Sequence, residues 1–166
     1  MQTPAVNAGQ GQRPIEYASL VHLVFAVLSF SFIGALTVRL TGNAAFTVAF
    51  AIIGLVFILL GILFVSLFLT AIIANLQFRA AFEATASGFF ALVPFACLAI
   101  VAELVLGWSA VHVFTSAGLM ASGGGTALEL AQRGVSGKLS IIAPLILGFI
   151  MSFLWLVSSA ALAQLL

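Results

Sequence analysis

This chain has almost no charge: only 5% of its 166 residues are Asp, Glu, Lys or Arg, against about 25% in an ordinary soluble domain. With 64% of residues hydrophobic, a water-soluble fold is excluded, because a core of this length cannot hide that much apolar surface. Five basic and four acidic side chains nearly cancel, which removes the electrostatic case for binding nucleic acid or anionic head groups. Cysteine is reduced to Cys97, so neither an intrachain disulfide nor a thiolate metal cluster can form. Patterns that carry chemistry are missing as well. There is no paired carboxylate at depth, no His-x-x-x-His or Glu-x-x-His, no Ser-His-Asp set and no phosphate-binding glycine motif. Gly123-Gly124-Gly125 lacks the lysine and strand-to-helix setting of a nucleotide loop. An enzyme is not expected.

What the chain does have is long apolar runs. Four exceed the roughly 18 residues that mark a membrane span, over about 19–40, 44–75, 89–114 and 139–163. In hydrocarbon the backbone must satisfy its own hydrogen bonds, so each run is expected to be an α-helix. The expected fold is all-α: a four-transmembrane-helix antiparallel bundle, up-down-up-down, over residues 19–166, behind an N-terminal tail at 1–18. That tail is rich in Gln, Gly, Ala and Pro and resembles neither a signal sequence nor a transit peptide. The fourth run is expected to leave the end at Gln164-Leu165-Leu166 almost inside the membrane.

Local signals set the boundaries. Pro14 and Glu16 suit the start of the first helix, and Thr41-Gly42-Asn43 suits a tight turn after it. The second run is about 32 residues, or roughly 48 Å as a helix, longer than a hydrocarbon core of about 30 Å. It is expected to tilt or project, continuing through the Arg79/Glu83 pair, spaced four apart, into an interfacial collar that ends near Gly88. Ser116 to Gly137 reads as the one sizeable loop, with the three glycines as a hinge and Thr126 to Arg133 as a short surface helix. Pro94 and Pro144 fall early in their helices, where proline is tolerated. Four crossings put both ends of the chain on one side. The positive-inside comparison is then Arg39, Arg133 and Lys138 against Arg13 and Arg79, a margin too small to orient it.

Glu103 is the residue most in need of an explanation, because an acid inside a span is a functional-site hypothesis by default. Helices in lipid associate through small residues, and Ala96, Ala99, Glu103, Gly107 and Ala110 fall on one stripe. Glu103 is therefore expected on a packed face, with Ser29 and Ser152 at matching depth as hydrogen-bond partners. Gly54 and Gly61 in the second helix, and Gly148 and Ser159 in the fourth, mark further contact faces. Most of the 16 phenylalanines lie off these stripes, facing lipid or other proteins. The bland reading of Glu103 is a neutral acid bonded across helices; the sharper ones are a proton or ion carrier, or half of an intersubunit salt bridge. His22 and His112 could each offer a single axial ligand to haem or a pigment, but they fall at opposite membrane faces and cannot ligate one haem together. No cofactor and no metal are expected.

Glu16-Tyr17-Ala18-Ser19, Ile73-Ala74-Asn75 and Ala102-Glu103-Leu104-Val105-Leu106-Gly107-Trp108 resemble parts of the four-helix proteolipid of rotary proton pumps. That family carries its essential acid in the last helix and has glycine-repeat inner helices. Here the acid is in the third run and the first contains only Gly34, so the resemblance implies no ring and no membership. In topology alone the chain is similar to the tetraspan MARVEL-type proteins, without a diagnostic motif. The expected role is a small integral-membrane accessory or structural subunit, packing against other membrane proteins or itself, in contact with the lipid bilayer and not with nucleic acid. The alternative is a proton- or cation-conducting channel or transporter subunit that uses Glu103.

Overall fold

A computed structural model describes residues 17–37, 44–106 and 110–163. These residues are helical throughout apart from short turns, with helices α1 (Tyr17–Thr37), α2 (Ala44–Ile72), α3 (Phe78–Phe89), α4 (Leu92–Leu106), α5 (Val111–Gln132) and α6 (Lys138–Ala163). Four helical segments are long and apolar enough to cross a membrane: Tyr17–Leu36, Thr47–Ile72, Phe78–Glu103 and Lys138–Ser158. The expected N-terminal tail, the turn at Thr41-Gly42-Asn43, Arg39, Gly107, Trp108 and the terminal Gln164-Leu165-Leu166 lie outside the described residues.

The second helix does not project as a collar. It stops at Ile72, and the chain reverses through Asn75, whose φ of 63° is a left-handed conformation that Asn tolerates better than most residues. α3 then turns back into the protein and buries Ala81, Ala84, Ala86 and Phe89. Between α3 and α4 the chain tightens, with Phe90, Ala91 and Val93 donating to carbonyls three residues back. Pro94 has no N–H to continue the four-residue ladder across this point, which fits the break.

The largest departure is α5. The expected loop over 116–137 is a 22-residue helix beginning at Val111 and running through all three consecutive glycines. Each glycine in a helix interior costs about 1 kcal/mol relative to Ala, so close approach must offset that cost. A Cβ on Gly123 would lie 2.5 Å from the Pro144 carbonyl oxygen of α6, and one on Gly125 would lie 2.8 Å from the Gly88 carbonyl oxygen of α3. Only Gly or a main-chain shift fits there. Polar side chains inside α5 close on their own helix: Thr115, Ser122 and Thr126 are fully buried and donate to Val111, Gly118 and Ser122 carbonyls at 2.6, 2.7 and 2.8 Å. The helix ends at a Gly134 cap with φ of 76°, where Gly134 N–H bonds the Ala131 carbonyl and Val135 N–H the Leu130 carbonyl.

Small residues set the pairing of α1 with α2 and of α5 with α6. Gly34 meets the Phe50 carbonyl while Gly54 meets the Phe30 carbonyl, so α1 and α2 run antiparallel in close contact, tied by Ser31 donating to the Ala51 carbonyl at 2.9 Å. Gly148 lies against the Leu119 carbonyl and Gly123 against Pro144, which makes α5 and α6 antiparallel as well. α5 also packs on α3 and α4. Phe30, Ile33, Ile58, Ile62, Leu69, Leu92, Leu119 and Leu130 form the fully buried core.

Candidate functional site

Polar side chains gather at the two ends of the helices. At the end formed by the α2–α3 and α5–α6 turns, Glu83 is 3% exposed yet ionically satisfied. Arg79 Nε donates to one carboxylate oxygen at 2.9 Å and Arg133 Nη1 to the other at 2.8 Å. Glu129 lies 3.8 Å from Arg133 Nε. The Arg79/Glu83 spacing was legible in the sequence. Arg133 is 50 residues from Glu83, and no local pattern pairs them. A buried carboxylate with two guanidinium donors fastens α3 to α5, because removing either sign would strand the other away from water.

Beside that cluster, the Ser87 hydroxyl on α3 lies 3.2 Å from His22 Nδ1 and 3.3 Å from the Ser19 hydroxyl, both on α1. The His22 ring also rests 4.7 Å from that of Phe90. Ser87 has no sequence signal and was not anticipated. The Ser–His contact lacks what a nucleophile needs: no carboxylate is bonded to His22 among the described residues, and Nδ1 rather than Nε2 meets the hydroxyl. It ties α1 to α3.

The opposite end differs in kind. Glu103 is half-buried in the last turns of α4, and its Oε2 is buried with no hydrogen-bond partner among the described residues. Neither Ser29, half-buried on α1, nor Ser152, buried on α6, therefore satisfies that oxygen. His112 Nδ1 and the Ser116 hydroxyl on α5 and the Trp155 indole N–H on α6 are also buried and unpartnered among the described residues. Trp155 is packed edge-on against Phe30 at 5.0 Å and Phe57 at 6.0 Å, and its ring lies 6.5 Å from that of His112. His22 and His112 stand at opposite ends of the structure, the first beside α3 and the second in the first turn of α5.

Of the expected packing residues, Gly54, Gly148 and Ala99 are at helix contacts, the last fully buried, and Gly61 faces the Met151 side chain of α6. Gly107 and the Ser159 side chain lie outside the described residues. Between α2 and α6 an open groove of about 290 Å³ is lined by Phe57, Leu60, Gly61, Phe64, Met151 and Leu154. A second cleft, of about 260 Å³, brings Ile73, Ala74, Asn75 and Leu76 against Gly134, Val135 and Ser136. Among the described residues no group of three His, Cys, Asp or Glu side chains could hold a metal ion, and Cys97 is exposed. No family model, curated protein or solved structure matches the chain.

Proposed function

We propose that this is a multi-pass integral-membrane protein whose helices cross the bilayer five times, up-down-up-down-up, and whose role is structural. It would act as a small accessory subunit that packs against other integral proteins or against itself. One observation carries the crossing number: α5 is 22 residues long, about 33 Å at 1.5 Å per residue, and lies antiparallel between α3/α4 and α6 rather than along a surface. Its Thr115, Ser122 and Thr126 turn inward and bond to its own backbone, which suits a span packed against several neighbours.

The outward faces of α2 and α6 support lipid or protein contact. Val48, Leu60, Phe64, Phe149 and Phe153 are each more than half exposed, and an exposed apolar surface on this scale is stable only against lipid or another apolar partner. The interior favours fastening over transport. Glu83 is locked between two arginines, the hydroxyls of Thr115, Ser122 and Thr126 on α5 are committed to carbonyls, and glycine contacts close the gaps between α3, α5 and α6.

Five crossings also change the charge comparison. Arg79, Arg133 and Lys138 then share one end, and the positive-inside rule turns that end toward the cytoplasm or its equivalent. Glu103, half-buried at the other end, favours a second reading as a proton- or cation-transport subunit. Substituting Glu103→Gln separates the two. Intact assembly with lost conductance would reject the structural role; lost assembly with unchanged conductance in the surviving complexes would reject the transport role.

A further inference from the structure

The two turns that close one end of the protein share a trough. Ile73, Ala74 and Ser136 border both the cleft of about 260 Å³ between the turns and a second of about 270 Å³, which adds Gly137, Lys138 and Leu139 where α6 begins. The near-zero charge of the whole chain leaves no broad cationic face, yet the fold separates one cation from the others. Arg79 and Arg133 share Glu83, and Glu129 stands beside Arg133, so this quartet is neutral. Lys138 is exposed at the trough and pairs with no carboxylate among the described residues.

From the trough an apolar path runs into the bilayer. Leu139 borders the trough, and Ile142, Ile146 and Phe149 follow it at spacings of three, four and three, which sets all four on one face of α6. Each is about half exposed. From Leu139 to Phe149 the helix rises about 15 Å, half of a hydrocarbon core about 30 Å thick. That is the depth of one leaflet.

We propose that the trough and the stripe above it bind one acidic phospholipid, its phosphate against Lys138 and an acyl chain along Leu139, Ile142, Ile146 and Phe149. Charge complementarity selects the head group, because a phosphodiester without a compensating amine carries one negative charge and meets one cation that the neutral quartet leaves over. The stripe selects a lipid over a free anion, since only a lipid covers both the polar trough and the apolar face that continues it. The end of the protein fits as well: Arg79, Arg133 and Lys138 mark the side that the positive-inside rule turns toward the cytoplasm or its equivalent, where the leaflet holds anionic lipid. The inference rests on the five-crossing reading, which sets both turns at that side. It adds a specific lipid to the packing role.

The test takes the full chain in mild detergent with equal amounts of a phosphatidylglycerol and a phosphatidylcholine of identical acyl chains, and counts bound lipids by native mass spectrometry. One phosphatidylglycerol is expected per chain, held about fivefold more tightly than phosphatidylcholine, the contribution of one lysine near anionic lipid. Lys138→Gln should bring that ratio to about one, and Lys138→Arg should keep it. Equal binding of the two lipids by the native chain, or a preference that survives Lys138→Gln, overturns the site. Lys138 is the chain's only lysine, so acetylating it on the folded protein removes the same charge if the variant does not fold. A preference that survives acetylation is equally fatal. Ile142→Ala combined with Ile146→Ala should weaken both lipids and preserve their ratio; unchanged binding would overturn the placement of the acyl chain. Displacement by inorganic phosphate at the lipid's concentration would overturn a lipid as the occupant. Micelles report the site whatever its sidedness, so same-side cysteine labelling of the two turns without the lipid preference refutes the site and spares the five-crossing reading.

Discussion

The three consecutive glycines of α5 offer an unusually direct comparison, because each meets a different environment within one turn of helix. A Cβ at Gly123 would come within 2.5 Å of the Pro144 carbonyl oxygen and 3.3 Å of Gly148 Cα, both main chain. At Gly124 the nearest atom is Leu145 Cδ2 at 4.0 Å, an ordinary contact with a movable side chain. Gly124→Ala should therefore keep its neighbours and gain the helix propensity of alanine, stabilising by about 0.5–1 kcal/mol. Gly123→Ala gains the same propensity but must push α6 away from α5, an overpacking cost of about 1–3 kcal/mol or more against rigid backbone. Its net effect should be destabilising by about 1–2 kcal/mol. For a protein of this size 1 kcal/mol corresponds to roughly 2–4 °C, so the two variants should separate by about 4–8 °C in a thermal melt of the detergent-solubilised protein. Gly125→Ala, 2.8 Å from the Gly88 carbonyl oxygen, should fall with Gly123→Ala. If all three substitutions shift the melt equally, or Gly123→Ala stabilises, the glycines are not helix contacts and the packing of α5 given above is wrong.

Other substitutions probe the remaining fastenings. Glu83→Gln leaves Arg79 and Arg133 without their shared counter-charge; with those side chains 31% and 20% exposed, the loss should be about 2–3 kcal/mol rather than the full cost of a buried pair, read as a lower midpoint in the same melt. Ser87→Ala removes the hydroxyl that meets both Ser19 and His22 and should cost about 1 kcal/mol, and the double variant with Ser19→Ala should be less than additive because the two share one contact. Gly54→Leu sets a side chain against the Phe30 carbonyl, 2.8 Å from the position of a Cβ, and should separate α1 from α2 by more than any substitution at Gly124. Interhelix fluorescence transfer between labels on α1 and α2 would detect it; unchanged transfer would reject the close contact.

The apolar helices were legible in the sequence because lipid-facing spans must be apolar along their length. Runs at about 19–40, 44–75 and 139–163 correspond to α1, α2 and α6, with the second shortened by the left-handed turn at Asn75. The run at 89–114 contains α4 but merges it with the start of α5, because Ala110 and Val111 continue the apolar pattern across the junction. α5 itself was missed for a physical reason. Hydropathy detects helices by the surface they show to lipid, and a helix wrapped by α3, α4 and α6 needs small and hydroxylated residues instead, which in isolation read as a loop. Glu103 was visible as an intramembrane acid, but its depth alone selected Ser29 and Ser152 as neighbours. His112 and Trp155 come together only through the pairing of α5 with α6.

The position of α5 is tested most directly by the sidedness of two turns. Ala74 and Ser136 are exposed and line one cleft, so with Cys97→Ser as background, Ala74→Cys and Ser136→Cys should both react with a membrane-impermeant maleimide added to the same side of sealed vesicles. Labelling of the two cysteines from opposite sides would mean that 111–132 does not cross, and would contradict the five-crossing account.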